Sequence, residues 1–492
     1  MTEPEGDGPS GARRQTAPVL TDLSKGSGTG KAAGTAPVSP AARAGWIAGG
    51  GLSPGAARHA RPVILDITRS LKRVTIGHQT GIDRVERAYL TWGLQRAGGL
   101  WLLAAIGVRQ YLVPPERAAA LAASLSMVAR LDEPGSSAAL GAMPSLDLQA
   151  SLTFWRARRL RMAESAVRRA AVARSATAAF PLQRLFGVVP PGAVLVNVGH
   201  DNLPAPLVMA ARRTGLRIAV MLHDLIPITH PEYSRPAPAA RFATWLEVAL
   251  RADLLLSNSS ATAVAAQAHA AAQDMRLPPI RVLPLGIGVP EAAPPSASPA
   301  VGEAPYFVML GTIEGRKNHL LLLALWRGLS TDWRHGEPPH LHIVGRRGWA
   351  ADQVFDMLDR APVIGRSVFE HADLDDAAAR RLVEGARALL LPSFVEGYGL
   401  PVGEALAAGV PVIASDLPAL REVGGTVPEW LDPLDGTGWL AALRDYARPG
   451  SPRRAAQMAR MDDWQRPTWR AHFARLDALL AEDPALRATE GS

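Results

Sequence analysis

Two carboxylates stand seven residues apart in the stretch SFVEGYGLPVGEALAAGVPVIASD, Ser393–Asp416: Glu396 and Glu404. Carboxylates in an apolar, glycine-rich surround are costly unless they are paired or bound to something. ALLLPSF reads as a strand, VEGYGLP as the loop at its carboxyl end, VGEALAA as a short helix and VPVIASD as the next strand. Pro401 suits a first helical turn and Gly409 a helix end. Gly397 and Gly399 let backbone N–H groups approach a ligand closely, and a helix N-terminus beside them favours an anion such as a diphosphate. Phosphates repel carboxylates, so Glu396 and Glu404 are expected to accept hydrogen bonds from hydroxyls at either end, one from a sugar and one from a ribose. The plainer alternative makes Glu396 a surface residue and Glu404 a carboxylate favoured by the helix dipole. It accounts for Glu404 alone better than for the whole segment.

A second segment, VMLGTIEGRKNHLLLLALW (Val308–Trp326), reads as a strand, a turn at Gly311 and a helix whose start carries Arg316 and Lys317. Two cations there would neutralise a diphosphate leaving group, and arginine can bind it bidentately. A merely solvated basic helix start would oppose the helix dipole. His223 in MLHDLIPITHPEYSR falls at a strand's carboxyl end, where it could steady developing charge or contact a sugar. His200 in GHDN stands on the same grounds, although a lone histidine is more often structural. Ser259 in SNSSAT reads as a helix N-cap at the floor of a cleft, close enough to touch a phosphate.

These residues need elements to position them. Residues 1–60 are rich in Gly, Ala, Pro, Ser and Thr, apart from isolated residues such as Trp46, and read as a disordered tail. GSGTGK within them lacks the glycine and the preceding strand of a phosphate loop. From RPVILDITRS (Arg61–Ser70) onward, apolar runs alternate with helical stretches: LWLLAAIGV, GAVLVNVGH, GLRIAVMLHD, ADLLLSNSS and RVLPLGIGV. After the proline-rich 291–305 the pattern restarts with YFVMLG, HLHIVG, ARALLLPS and VPVIASD. Near-continuous apolar strands indicate parallel sheets covered on both faces. The expected architecture is α/β: two doubly wound Rossmann-like domains facing a central cleft, 61–290 and 306–462, joined by the linker 291–305 and closed by 463–492.

The totals narrow the partners. At 492 residues with 48% hydrophobic side chains, two full cores are affordable in length, and the absence of cysteine excludes disulfides, thiolate catalysis and zinc–cysteine sites. The net charge of +8 is spread along the chain without a nucleic-acid signature, so no nucleic acid is expected. No apolar run approaches the roughly 18 residues that span a bilayer, and no secretory signal is visible. The arginine-rich SLTFWRARRLRMAESAVRRAAVAR (Ser151–Arg174) reads as a helix lying on anionic lipid or as an ordinary exposed helix. A cytoplasmic location, at the inner face of the membrane if that helix docks, is the corresponding expectation. Asp373-x-Asp375 has the look of a metal-binding pair but precedes an alanine-rich helix, which makes it an N-cap cluster; no metal and no cofactor are expected.

The segment EGYGLPVGEALAAGVPVIASD resembles the E-x7-E segment of retaining GT-B glycosyltransferases of family 4, the glycosyl transferases group 1, and the similarity extends over roughly residues 61 to 480. The resemblance implies that Glu396 contacts the transferred sugar and Glu404 the nucleotide ribose. Gly311, Gly397, Tyr398, Gly399 and Leu400 would surround the donor, with Arg316, Lys317 and His223 beside the reacting centre. Thr312 stands where many members carry an arginine, and the consecutive basic pair is similar to mannosyltransferases of surface-polysaccharide assembly. TGIDRVERAYL (Thr80–Leu90) resembles the acceptor-side loop and helix, and DDWQRPTWRAHFARLDALL (Asp462–Leu480) the terminal helix that crosses back between domains. The function implied is transfer of a hexose, mannose as the leading choice, from a nucleotide diphosphate sugar such as GDP-mannose to a saccharide or lipid-linked saccharide. The alternatives are a non-catalytic nucleotide-sugar-binding partner and a sugar-nucleotide epimerase or phosphorylase on the same fold.

Overall fold

The computed structural model describes residues 61–75, 80–129, 148–175, 182–288, 304–334 and 337–487. The low-complexity tail, GSGTGK and nearly all of the proline-rich linker lie outside the described residues. The first sheet contains β1 (Val63–Asp66), β2 (Leu100–Ile106), β3 (Arg109–Val113), β4 (Ala173–Arg174), β5 (Val194–Asn197), β6 (Arg217–Leu222), β7 (Leu254–Ser257) and β8 (Ile280–Val282). Their order across the sheet is β4-β3-β2-β1-β5-β6-β7-β8. The second contains β9 (Tyr306–Leu310), β10 (His340–Val344), β11 (Val368–His371), β12 (Ala388–Leu391), β13 (Val412–Ser415) and β14 (Glu429–Leu431), in the order β11-β10-β9-β12-β13-β14.

Every pairing is parallel except β2–β3 and β3–β4. The β2–β3 pairing is local: Gly107, with φ +60°, and the exposed Val108 make a two-residue link that can only return the chain antiparallel. The central strands β1, β5, β7, β12 and β13 are buried along their whole length, as helices on both faces require. In each sheet the first strand is flanked by neighbours leading in opposite directions. The switch points therefore lie between β1 and β5 and between β9 and β12, and crevices for ligands open at their carboxyl ends.

The chain's last long helix, Trp469–Glu482, packs against the amino-terminal half. Phe473 stacks on Trp92 at 5.2 Å, and His472 bridges the Pro284 carbonyl and the Tyr89 hydroxyl. Just before it, Trp464 Nε1 donates to the Val423 carbonyl of the other half at 2.9 Å. The chain's end therefore touches both halves. The arginine-rich helix spans Leu148–Ala170 and stops short of the expected end, because Ala173 and Arg174 pair with β3 instead. Its Ala163 and Val167 are buried in the core, so one face is packed rather than free. Among the described residues, no helix is long and apolar enough to cross a membrane.

Candidate active site

The β9–β12 switch point holds the charged residues that the sequence singled out. β9 ends at Leu310, and Gly311 follows at φ +129°, a conformation open to glycine. The chain then forms a 3-10 turn at Gly315–Lys317, and Asn318 adopts a left-handed conformation before the helix His319–Asp332 begins. Arg316 and Lys317 therefore precede the helix rather than occupying its first turn, which corrects the expected placement. The turn aims both side chains at the loop after β12, where the Phe394 amide donates to the Arg316 carbonyl at 2.8 Å.

There they meet Glu396. Lys317 Nζ lies 2.6 Å from Glu396 Oε1, and Arg316 Nη1 lies 2.8 Å from Oε2. Ser393 Oγ donates to Oε1 at 2.7 Å, and Arg316 Nη2 also binds Glu314 Oε1 at 2.6 Å. Burial alone would raise the Glu396 carboxyl, but the Arg316 guanidinium and Lys317 ammonium overcome this and hold it down at about 2. Burial lowers the Lys317 ammonium, with Glu396 opposing the shift. Glu396 is thus ionised at neutral pH, with both oxygens engaged. Expected as an open acceptor for a sugar hydroxyl, it is instead the anchor of the basic pair, because two cations this close outcompete neutral donors. Glu314 and Ser393 complete the cluster; the sequence carries Glu314 two places before Arg316, the only local signal for it.

Glu404 sits in the helix Leu400–Ala407, which starts after Gly399 (φ +107°) with Pro401 in its first turn. Its partner is Arg84 Nη1 of the helix Gly81–Leu94, at 2.6 Å. Burial raises the Glu404 carboxyl against the opposing charge of Arg84. Tyr398 is buried, and its hydroxyl donates to the Leu285 carbonyl at 2.6 Å, so its side chain is a strut between the halves. At Gly397 the two halves approach closely: an added Cβ would overlap the His223 carbonyl oxygen and come within 2.8 Å of Asp224 Cβ.

The histidines differ from expectation. His223 Nε2 lies 2.7 Å from the Val198 carbonyl, which fixes Nε2 as the donor, and burial pushes the ring down to about 4. A neutral imidazole committed to the backbone cannot steady developing charge as a cation would. His200 Nε2 accepts from the His223 amide at 2.9 Å, and its ring packs between His223 and Trp245, so it supports the loop. Ser259 caps its helix as expected, but its hydroxyl reaches the Gly397 carbonyl at 2.9 Å instead of facing open space. At the same helix start, Glu422 accepts from the Ser260 and Ala261 amides at 2.7 and 2.8 Å. Asp375 caps its helix through the Ala378 amide, and Asp373 pairs with Arg346.

Residues 295–426 match the family model described as glycosyl transferases group 1. The match covers about a quarter of the chain. The matched segment holds Gly311, Glu314, Arg316, Lys317, Glu396 and Glu404, whereas Arg84, the partner of Glu404, lies outside it. A serotype-specific mannosyltransferase, WbdA of Escherichia coli, is 31% identical over 226 residues, 43% of this chain and 27% of WbdA. The O-antigen chain mannosyltransferase B of Escherichia coli is 35% identical over 130 residues, 26% of this chain and 33% of the relative. The chain thus spans about a quarter to a third of these relatives' length. In fold, a ligand-free OtsA structure superposes with a TM-score of 0.53 at 13% identity, over 86% of this chain and 99% of that one. With two doubly wound Rossmann-like domains facing a cleft, the group 1 segment is the carboxyl-terminal member of a GT-B fold.

Proposed function

We propose that the chain is a retaining glycosyltransferase. It moves a hexose, mannose as the first choice, from a nucleotide diphosphate sugar to a hydroxyl of a saccharide or lipid-linked saccharide in cell-surface polysaccharide synthesis. The observation that carries this reading is the Glu396–Arg316–Lys317 cluster at the β9–β12 switch point, inside the group 1 segment. The mannosyltransferase relatives support the choice of sugar, and GDP-mannose as the donor follows from it.

In this reading the bond from the sugar's anomeric carbon to the diphosphate oxygen breaks, and the electron pair leaves with the nucleoside diphosphate. The acceptor hydroxyl forms the new bond on the same face and gives its proton to the departing phosphate oxygen. No covalent nucleophile is needed, so the protein's contribution is position and charge. Glu396 fixes both cations in place before substrate arrives. Lys317 has three donors and spends one on Glu396, leaving two for the diphosphate. Arg316 and Lys317, their charge balanced by Glu314 and Glu396, offer N–H donors to the diphosphate, and the proposed reaction proceeds without metal. Glu404 accepts from the ribose, and the Gly397–Leu400 backbone surrounds the sugar and diphosphate.

The test is release of nucleoside diphosphate from a panel of nucleotide sugars, with α-methyl mannoside as acceptor, in the presence and absence of EDTA. One donor should turn over regardless of EDTA, and Glu396→Ala should lower kcat by roughly 100- to 1,000-fold, the scale of losing preorganised charge stabilisation. Unchanged turnover in the variant would remove the site assignment. Loss of turnover with EDTA would remove the metal-free reading.

A further inference from the structure

Glu404, read above as the ribose contact, is held from the opposite half of the molecule. Its Oε1 receives Arg84 Nη1 at 2.6 Å from a residue 320 positions earlier in the chain. Arg84 Nη2 reaches Asp376 Oδ1, in the first turn of the helix Asp376–Glu384, at 3.4 Å. Among the described residues, Glu404 Oε2 receives no hydrogen bond, and a third of the side chain remains exposed. The approach is close because Gly81 starts the Arg84 helix; a Cβ there would sit 3.2 Å from Leu400 Cδ1. A carboxylate pinned by one oxygen, with the other open, is arranged to accept from a ligand hydroxyl in one fixed direction.

We propose that Arg84 is a positioning residue for the donor: it holds Glu404 Oε1 so that Oε2 faces the ribose hydroxyls. The inference rests on the proposed ribose role of Glu404 and adds that the nucleotide seat is shared between the halves. Arg84 also opposes the effect of burial on Glu404, favouring the ionised form, in which both oxygens accept. The charged groups facing Glu404 are Arg84 and Asp376, and the second works against the first. The donor seat is complete only while the helix Gly81–Leu94 stands against the helix Leu400–Ala407. A loose hinge would therefore weaken ribose recognition without touching the diphosphate cluster.

The test compares nucleoside diphosphates with their 2′,3′-dideoxy forms by titration calorimetry on the full chain. ADP, CDP, GDP and UDP are screened first, and the tightest is carried forward. Wild type should prefer the ribose form by about tenfold, the scale of hydrogen bonds to a charged acceptor. Arg84→Met should cut this preference to less than about threefold and leave the affinity for the dideoxy form unchanged, and Arg84→Lys should restore part of it. As pH falls, the preference should disappear at a higher pH in Arg84→Met than in wild type. An undiminished preference in Arg84→Met, or tighter binding of the ribose form, would overturn the proposal. Equal loss of both ligands would mark Arg84 as merely structural and would also overturn it. Wild type that binds a diphosphate without preferring ribose would remove the role of Glu404 and leave the nucleotide reading standing. Wild type that binds none of the four would remove both.

Discussion

The two halves bury carboxylates at equivalent places and hold them in opposite states. At the β9–β12 switch point, Glu396 is held down at about 2 by Arg316 and Lys317. Near the β1–β5 switch point, burial pushes Asp66 up to about 7 and Glu86 up to about 8. Asp66 is met by the Thr68 amide and the Asn202 and Asn197 side-chain amides, none of them charged. Glu86 Oε1 accepts from the Ser70 amide, while its Oε2 is buried without a partner. The difference lies in the partner. A cation repays the desolvation of a carboxylate in a way that neutral donors do not. The division runs by partner and not by half: Asp83, in the amino-terminal half, is lowered by Arg69 and Arg73. Asp66 and Glu86 are buried acids met by neutral donors, and both hold their protons to higher pH than an ordinary carboxyl.

The comparison breaks first where the halves touch. Gly397 lies against the His223 carbonyl and Asp224 Cβ, and its own carbonyl accepts from Ser259 and Thr262 of the other half. Gly397→Ala forces the backbones apart by an appreciable fraction of an ångström, and misplacement on that scale costs about 100-fold in turnover. The measurement is kcat/KM on the donor identified above. Turnover within about twofold of wild type would show that the two switch points work independently.

Proton uptake separates the halves next. Glu86 has a folded value of about 8 against 4.5 for the ordinary carboxyl. The folded state therefore keeps a proton that the unfolded chain gives up, and stability falls as pH rises from about 4.5 toward 8. Glu396 behaves oppositely: its contribution is present above 4.5 and is lost as pH falls toward 2. Each unit is worth about 1.4 kcal/mol, so Glu86→Gln should gain a few kcal/mol at pH 9 and little at pH 4. Urea unfolding at the two pH values measures this. An equal effect at both would mean that folding does not raise the Glu86 carboxyl.

The same contrast governs what the sequence disclosed. The central strands were legible because buried parallel strands read as unbroken apolar runs, as in VLVN and ALLL. The edge strands β11 and β14 were not: they read VFEH and EWL, mixed runs that periodicity does not separate from loop, while β3 follows from the Gly107 turn. Arg316, Lys317 and Glu396 were legible because each lies in a local glycine pattern at a strand end. That they pair with one another was not, and neither were Arg84 with Glu404 or Glu422 with the Ser260 amide. These contacts join residues far apart in the chain, and no local spacing encodes them. His223 was placed at the right strand end, but its tautomer depends on the Val198 carbonyl, a neighbour the sequence does not announce.

The smallest effect distinguishes a strut from a ligand contact. Ser259 Oγ accepts from the Thr262 amide at 3.0 Å and reaches the Gly397 carbonyl at 2.9 Å. Ser259→Ala removes an N-cap, worth about 1 kcal/mol of stability. The loss should not run higher, because Glu422 still accepts from the Ser260 and Ala261 amides, and the Thr262 hydroxyl still reaches the Gly397 carbonyl at 3.3 Å. Donor KM should move by less than about threefold, whereas a lost phosphate contact, being a charge-assisted bond, would raise it about tenfold or more. A tenfold rise in KM at unchanged stability would return Ser259 to the donor site. It would also show that the bridge to Gly397 opens when nucleotide binds, making the interface between the halves part of the substrate's path rather than a fixed wall.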